Sequence, residues 1–312
     1  MRKTKLFFII FTLIIINSVS ISFAQTSTNN VIDELEEIVV TAQRREQNIS
    51  DVSQAVQALS GDDLDELNIT NFEEMITLIP GAIQNSTISH GSNVYSIRGV
   101  AASETDGDAT VGYYLDNFAF SIPGRPYAPV TDLYDTERVE VLRGPSGTLY
   151  GLGSLGGTIK VITRDPVIGE FEGAFKATVS EIDDGDSSYT GDIVINAPIS
   201  DKAALRAVLS IKDIGGWAEI IPSEQTDGNP YEALTGRLKL LVEPNEKTSV
   251  KFTYWRQDSE QEFANRLTYP SPPAIDNVFG ETFSDYTIYI LDVAYDLGFA
   301  MLESTTGYME NT

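Results

Sequence analysis

Seven segments after Pro166 alternate apolar and polar side chains with a period of two. In the first, residues 171–180, Phe171, Phe175 and Val179 share one face. A period of two predicts β-strands that have one apolar and one polar face. The other segments are residues 189–197, 205–212, 234–243, 250–257, 287–295 and, with weaker alternation, 299–308.

The connections between these segments range from a tight turn at residues 243–246 to a long loop at residues 258–285. Short turns on one side and long loops on the other are typical of outer-membrane barrels. The first segment, residues 171–180, also has the length of a tilted membrane strand, about 9–11 residues. A soluble β-sandwich explains the alternation equally well, so the pattern favours a barrel and leaves the sandwich open.

The first residues have the pattern of an export signal. Arg2, Lys3 and Lys5 precede an apolar run over residues 6–16, and Ser22-Phe23-Ala24 provides small residues before a cleavage point. The run is too short for a permanent membrane helix. We therefore expect a signal peptide at residues 1–24, with a retained anchor as the alternative. The chain contains no cysteine, so its stability must come from burial and backbone pairing.

The formal net charge of −25 argues against nucleic acid as a partner, because phosphates need Lys and Arg. Acidity alone selects no other partner. The single histidine and the absence of cysteine leave no nucleophile pair, so we do not expect an enzyme.

Residues 38–42 are five β-prone residues between an acidic stretch at 33–37 and the basic pair Arg44-Arg45. Such a segment has no local partner and can add as an extra strand to the edge of another protein's sheet. The alternative is a first strand of the domain that follows.

A mixed α/β pattern follows from about residue 52. Helices are predicted to begin at Ser60 and Asn71, each with an acidic residue three positions later. Short strands are expected at residues 95–98 and 111–115. The second helix has one apolar stripe that predicts core residues, Phe72, Met75, Ile76 and Ile79.

Residues 137–163 form a strand, a glycine-rich excursion and a second strand. Val139 and Val141 predict one apolar and one polar face for the first strand. The glycines allow close backbone packing, and residues 151–156 also match G-x-G-x-x-G. That match fails as a dinucleotide site because a strand follows it, where the motif requires a helix.

With these pieces in place, the chain resembles the TonB-dependent outer-membrane receptors of the iron-complex type. The end of the family's plug domain is similar to R-V-E-V-L-R-G-P-x-G-x-L-Y-G followed by G-G-x-I-x-x-x-T, which residues 138–151 and 156–163 match. Residues 95–100 and 111–117 resemble the family's I-R-G and V-x-x-Y-x-D-G motifs. Residues 37–42 resemble the TonB box, the peptide that the periplasmic protein TonB grips.

The resemblance implies an α+β plug domain followed by the first strands of an antiparallel transmembrane β-barrel, which is 22-stranded in the family. The implied domains are a signal peptide at 1–24, a TonB-box linker at 25–50, a plug at 51–165 and a partial barrel at 166–312. Residues after Asp165 suffice for about seven strands, and the last residues lack a terminal aromatic. We therefore expect an amino-terminal fragment.

The implied function is TonB-dependent import of a scarce ligand, most commonly a ferric siderophore, across the outer membrane of a Gram-negative bacterium. Cobalamin, haem and oligosaccharides are alternative ligands, and a passive or structural barrel such as a porin or adhesin is the alternative class. The implied partners are TonB with its inner-membrane energising proteins, a metal chelate or other small ligand, and outer-membrane lipid. No cofactor is expected.

The resemblance also assigns site residues, none of them catalytic or metal-binding. The TonB-binding residues are Ile38, Val39, Val40, Thr41 and Ala42. The plug-motif residues are Arg98, Gly99, Asp116, Glu140, Arg143, Gly144, Pro145, Tyr150, Gly151, Gly156 and Gly157. The candidate ligand loops are residues 85–93, 102–110 and 118–130, with His90, Arg125 and Tyr127 as candidate contacts. A lone histidine has no partners with which to hold a metal.

Three features of these motifs leave questions for the structure. Arg98, Glu140 and Arg143 are expected to pair either with the barrel lining or within the plug, because buried charges need partners. Leu152-Gly153-Ser154-Leu155 replaces the family's usual R-N-A, so we expect the polar link from this loop to the barrel wall to be missing or made elsewhere. Asn117 replaces a usual glycine, and asparagine tolerates positive φ.

Overall fold

The computed structural model describes residues 39–45, 47–86, 93–102, 107–151, 153–183, 185–220, 225–261, 274–275 and 282–311. The predicted signal peptide, Ile38 and His90 lie outside these ranges. Within them, no helix is both long enough and apolar enough to cross a membrane.

The residues up to Thr163 form the part of the fold that we call the plug. Its core is a five-stranded sheet in the order β3-β8-β9-β6-β7, in which only β6 and β9 run parallel. Two antiparallel pairs, β1 with β2 and β4 with β5, lie outside this sheet. The elements are β1 (Val39–Val40), β2 (Gln47–Asn48), a 3-10 turn (Ile49–Asp51), β3 (Val56–Ser60), α1 (Gly61–Glu66), α2 (Phe72–Ile76), β4 (Ala82–Ser86), β5 (Val94–Ile97), β6 (Val111–Leu115), β7 (Phe118–Ala119), β8 (Thr136–Arg143), α3 (Gly147–Tyr150) and β9 (Gly157–Thr163).

Both predicted helix starts are present. The Ser60 hydroxyl accepts from the Asp63 N–H at 3.0 Å, and the Asp63 carboxylate accepts from the Ser60 N–H at 3.1 Å, which completes a capping box. At α2, Asn71 caps the Glu74 N–H, while the Glu74 carboxylate accepts from the Thr70 N–H. The prediction of core residues is confirmed, since all four apolar side chains are at most 3% exposed. The helix itself ends at Ile76, so Ile79 lies in the turn that follows it.

Strand β8 has the predicted apolar face, formed by Val139 and Val141 in the main core. Glu140 and Leu142 on its other face are also fully buried, and only Glu137 near the start of the strand is exposed. The reason is its position between β3 and β9, with the segment around Thr41 covering the face that carries Glu140. The local alternation of residue types could not predict that a distant segment packs on this face.

The glycine-rich excursion contains the short helix α3, where only a turn was predicted. The predicted close packing of backbone is present at Gly157, where an added Cβ would lie 2.3 Å from the Leu142 carbonyl oxygen and 2.8 Å from Ile97 Cδ1. Gly156 packs similarly against Val100. Gly144 and Gly151 instead adopt positive φ, at 112° and 68°.

Replacing Gly157 with alanine should destabilise the protein by about 1–3 kcal/mol, because neither the Leu142 carbonyl nor the sheet can move aside freely. Gly147→Ala is the matched control, since a Cβ at Gly147 meets nothing within 4 Å. Urea unfolding of both variants measures the difference. Equal stabilities of the two variants would contradict the packing described here.

We call the long strands after residue 166 the wall. They form one antiparallel sheet in the order β10-β11-β12-β15-β16-β19-β20, with β18 paired to β16, while β13, β14 and β17 form a small separate sheet. All seven predicted strands are present. The elements are β10 (Glu172–Glu181), β11 (Ser187–Ser200), β12 (Ala203–Ile214), β13 (Ala218–Ile220), β14 (Gln225–Gly228), β15 (Tyr231–Asn245), β16 (Thr248–Gln261), β17 (Ala274–Ile275), β18 (Thr282–Phe283), β19 (Tyr286–Asp296) and β20 (Met301–Asn311).

One face of the wall packs against the plug. Trp255, Tyr286, Ile288 and Ile290 are buried in the same apolar cluster as the plug core. The other face exposes large apolar side chains, with Phe175 80% exposed on β10. This arrangement is the one expected of barrel strands, whose outward side chains face lipid.

Candidate functional site

Residues 39–45, which we call the docked segment, lie against the plug sheet. β1 pairs with β2 through Val39 opposite Asn48 and Val40 opposite Gln47. Val40 and Ala42 are fully buried in a cluster with Tyr114, Leu142 and Tyr150, whereas Val39 is 46% exposed. Of the four predicted strand residues that the structure describes, Val39 and Val40 therefore form a strand, and a turn follows them.

The Glu140 side chain on β8 binds the backbone of the docked segment. Its carboxylate accepts from the Thr41 N–H at 2.8 Å and from Arg138 Nε at 2.9 Å. Lys160 Nζ on β9 donates to Thr41 Oγ1 at 2.8 Å. A fully buried carboxylate needs such partners to remain charged. Glu140 thus pairs within the plug, which is one of the two alternatives that the sequence left open.

Two tyrosines and an arginine complete the contact. The Tyr150 hydroxyl donates to the Ala42 carbonyl at 2.9 Å, and the Tyr114 hydroxyl donates to the Tyr150 carbonyl at 2.6 Å. Burial raises the pKa of Tyr150 to about 12, so its hydroxyl keeps the proton that it donates. The Arg44 guanidinium lies 4.7 Å from the Tyr150 ring centre and 5.1 Å from that of Tyr114, within cation–π range.

A first group of charges joins the plug to the wall where the chain passes from one to the other. Lys239 Nζ lies 3.0 Å from Asp116 and 2.8 Å from Asp165, and Lys251 Nζ lies 2.8 Å from Asp165. Asp116 also accepts from the Thr163 N–H at 2.9 Å. Burial alone would raise the pKa of Asp116, but the ammonium groups and this hydrogen bond lower it to about 2.

The turn after β6 places its positive φ, 50°, at Asp116, and Asn117 is not among the residues with positive φ. The turn therefore survives the replacement of the family's usual glycine by Asn117, as expected, although its positive φ lies one residue earlier. Asn117 instead accepts a hydrogen bond from Lys160 at 3.2 Å.

Asp116→Asn should lower the free energy of unfolding by about 2 kcal/mol at neutral pH, the equivalent of its pKa difference from the usual 3.8. Because the folded-state pKa is depressed, the stabilisation is present above about pH 4 and lost as the pH falls toward 2. Unfolding measured at several pH values checks this. Asp201→Asn, in an exposed turn, is the control, and an unchanged acid sensitivity in Asp116→Asn would contradict the assignment.

A second group of charges centres on Asp135, which precedes β8. Its carboxylate accepts from Arg206 Nε at 2.9 Å and from Arg237 Nη2 at 2.7 Å, and both arginines project from the wall. Arg237 Nη2 also donates to the Asp135 carbonyl at 2.9 Å, and its guanidinium lies 5.2 Å from the Trp255 ring centre. Asp135 therefore joins β12, β15 and, through Arg237, β16 to the plug.

The remaining predicted site residues are more dispersed. Arg98 is exposed at φ 55° beside Gly99, and Arg143 Nη1 donates to the Pro80 carbonyl at 3.3 Å. Arg125 is exposed and Tyr127 half-buried on the connection between β7 and β8. The Ser154 carbonyl accepts from the Ser146 N–H at 2.9 Å, a contact within the plug.

Sequence reasoning missed the basic residues of the wall. Arg237 and Lys239 are two positions apart on β15 and face the plug, and Arg206 does the same on β12. The chain has 21 basic residues and 46 acidic ones. Basic residues that recur on one face of an alternating strand were therefore the sequence signal that could have identified this set.

A cavity of about 280 Å³ lies between part of the plug and the wall. Its lining includes Glu73, Tyr95, Asp132, Lys212 and Gln257. In the part of the chain that the structure describes, no group of three His, Cys, Asp or Glu side chains is placed to hold a metal ion.

Residues 48–158 match the family model of the TonB-dependent Receptor Plug Domain. The pesticin receptor of Yersinia pestis is 27% identical over 230 residues, which cover 73% of this chain and 32% of that receptor. An iron-regulated outer membrane virulence protein of Vibrio cholerae is 26% identical over 249 residues, covering 77% and 36%. The chain spans about a third of the length of these curated relatives.

The solved structure of the ferric yersiniabactin uptake receptor FyuA from Yersinia pestis has the same fold. It superposes with a TM-score of 0.71 at 18% identity, covering 83% of this chain and 41% of the receptor. A Pseudomonas aeruginosa FpvA complex with a heterologous pyoverdine gives 0.70 at 16% identity, covering 87% and 36%. Residues 48–158 therefore form a TonB-dependent receptor plug domain, and the chain as a whole is similar in sequence and fold to outer-membrane receptors.

Proposed function

We propose that this protein imports a ferric siderophore across the outer membrane and that TonB supplies the energy by pairing with the docked segment. The observation that carries the proposal is the docked segment itself, a short strand held on a plug that is ion-paired to a barrel wall. The protein binds and moves its ligand without covalent chemistry.

The docked segment suits strand addition. In the part of the sheet that the structure describes, β1 pairs with β2 alone, so one strand edge is available to a partner. Ile38, Val39, Val40, Thr41 and Ala42 would pair through the backbone, and side chains would set the register. Full pairing requires Thr41 to leave Glu140 and Ala42 to leave Tyr150.

The contacts that hold the docked segment are weaker than those that hold the plug in the wall. A typical hydrogen bond contributes about 1 kcal/mol net, or about twice that when one partner is charged. The buried ion pairs of Asp135 with Arg206 and Arg237 resist separation more strongly, because breaking them leaves buried charges without partners. A pulling force is thus expected to free residues 39–45 before it frees residue 135.

The ligand class rests on the relatives. The names of those matched include a pesticin receptor, a ferripyoverdine receptor of Pseudomonas aeruginosa and a yersiniabactin uptake receptor. A vitamin B12 transporter of Vibrio vulnificus, 25% identical, makes cobalamin the second candidate. Arg125 and Tyr127 are the proposed contacts in the described ligand loop, with His90 as a further proposed contact.

The proposed organisation is a signal peptide at residues 1–24, a TonB-box linker at 25–50, a plug domain at 51–165 and barrel strands from 166. The folded plug motif residues, including Gly144, Pro145 and Gly151, shape the excursion between β8 and β9. Their proposed role is to let the plug fit the lumen.

Binding of a ligand panel to the purified outer-membrane protein tests the ligand class. Ferric hydroxamate, catecholate and phenolate siderophores are compared with cobalamin and haem by equilibrium titration in detergent. We expect saturable binding of one ferric siderophore class, and a weaker affinity in Arg125→Ala. Saturable binding of cobalamin alone would overturn the siderophore assignment and leave the receptor assignment in place.

A further inference from the structure

One serine hydroxyl lies between two carboxylates where the plug meets the wall. Ser210 Oγ on β12 is 2.9 Å from Asp132 Oδ2 on the plug and 2.6 Å from Asp192 Oδ1 on β11. A hydroxyl carries a single proton, so it can donate to only one of the two. The other short contact therefore requires a proton on one of the two carboxyl groups.

The neighbours of Asp132 show which carboxyl carries that proton. Lys212 Nζ lies 2.9 Å from Asp132 Oδ2, and the Tyr134 N–H donates to Asp132 Oδ1 at 2.8 Å. Both donors contact Asp132 and not Asp192, so in the described part of the chain Asp192 is the carboxyl group that lacks a charged donor. Ser210 then donates to Asp132, and the 2.6 Å contact becomes an O–H of Asp192 donating to Ser210 Oγ.

The surroundings of Asp192 agree with this assignment. Asp132 and Asp192 are each 6% exposed and Ser210 is 2% exposed, so an ionised Asp192 would require a close cation. Its cross-strand neighbour on β10, Lys176, pairs at 3.8 Å with Asp65 near α1, and Lys212 pairs with Asp132. Among the residues that the structure describes, Asp192 has no ion pair of its own.

We infer that Asp192 is a proton-binding site that controls the contact between the plug and the wall. With Asp192 protonated, the chain Asp192 to Ser210 to Asp132 is fully satisfied and the connection before β8 is held on the wall. When Asp192 loses its proton, Ser210 can satisfy only one carboxylate, and two buried negative charges face each other across it.

Asp132 and Lys212 line the cavity of about 280 Å³, so the cavity reaches the Asp132 end of this hydrogen-bonded chain. The sign of the effect follows from the chemistry. The contact is stabilised at low pH, where Asp192 is neutral, and weakens as rising pH ionises it. Asp116 behaves oppositely, because its ionised form is the one that stabilises the fold.

Infrared spectroscopy of the outer-membrane protein in detergent tests the protonation directly. A buried carboxylic acid gives a C=O stretching band that a carboxylate lacks. We expect this band at neutral pH in the wild type and in Asp213→Asn, a control on the exposed face of β12. The band should be missing in Asp192→Asn. A wild-type spectrum without it, or a band retained in Asp192→Asn, would overturn the inference.

Hydrogen exchange of the backbone amides at residues 130–135 tests the effect on the contact. After correction for intrinsic exchange rates, these amides should exchange about tenfold faster above the titration of Asp192 in the wild type and in Asp213→Asn, an opening change of about 1.4 kcal/mol. Asn mimics the neutral acid, so Asp192→Asn should show no such step. The same step in Asp192→Asn would contradict control by this residue, whatever ligand the receptor takes.

Discussion

Val39→Pro should abolish energised ligand uptake and leave ligand binding unchanged. Proline removes the backbone N–H of residue 39 and fixes its φ, so the segment can no longer pair as a regular strand. Because the Val39 side chain is 46% exposed, the substitution does not empty a core position. Uptake of a radiolabelled ferric siderophore by iron-starved cells, beside binding to the same cells without energy, measures the two effects separately.

Val39→Ala is the matched control, since it shortens the same side chain and keeps the N–H. Its uptake should stay close to that of the wild type, whereas Val39→Pro should fall to the level of cells that lack TonB. Wild-type uptake by Val39→Pro would show that strand pairing at this segment has no part in transport.

Asp135→Asn should cost about 3–5 kcal/mol of stability, because it leaves the buried guanidinium groups of Arg206 and Arg237 without their shared carboxylate. Asparagine tolerates the positive φ of 57° at this position, so the change removes charge without adding backbone strain. Urea unfolding of the protein refolded into phospholipid vesicles measures the loss.

Glu172→Gln serves as its control. Glu172 also pairs with Arg206, at 3.1 Å, but its side chain is 55% exposed. An exposed partner of this kind contributes less than about 1 kcal/mol. Similar losses in the two variants would mean that Asp135 is not the residue that anchors the plug to the wall.

Local patterns in the sequence predicted the elements of this fold. The period of two after residue 166 identified each long wall strand, and the helical stripe of Phe72, Met75, Ile76 and Ile79 identified core positions. Both patterns work because burial on one face repeats with the geometry of a single element. The closely packed glycine at residue 157 was likewise visible as part of a motif.

Contacts between elements that are far apart in the sequence could not be predicted from local patterns. Glu140 looked like one of several charged motif residues, and only the docked segment 99 positions away reveals its partner, Thr41. Asp135 and Arg206 are 71 positions apart, and their pairing depends on how the plug sits against the wall strands. The burial of both faces of β8 has the same origin, since its cover comes from residues near the start of the described chain.

Energy-dependent accumulation of the ligand tests transport most directly. Cells that carry this receptor as their only route for the ferric siderophore are given labelled ligand, with the inner-membrane proton gradient either intact or collapsed by an ionophore. Accumulation should require both the gradient and TonB. Uptake that persists without either, and follows the external concentration, would contradict active transport and identify a passive barrel.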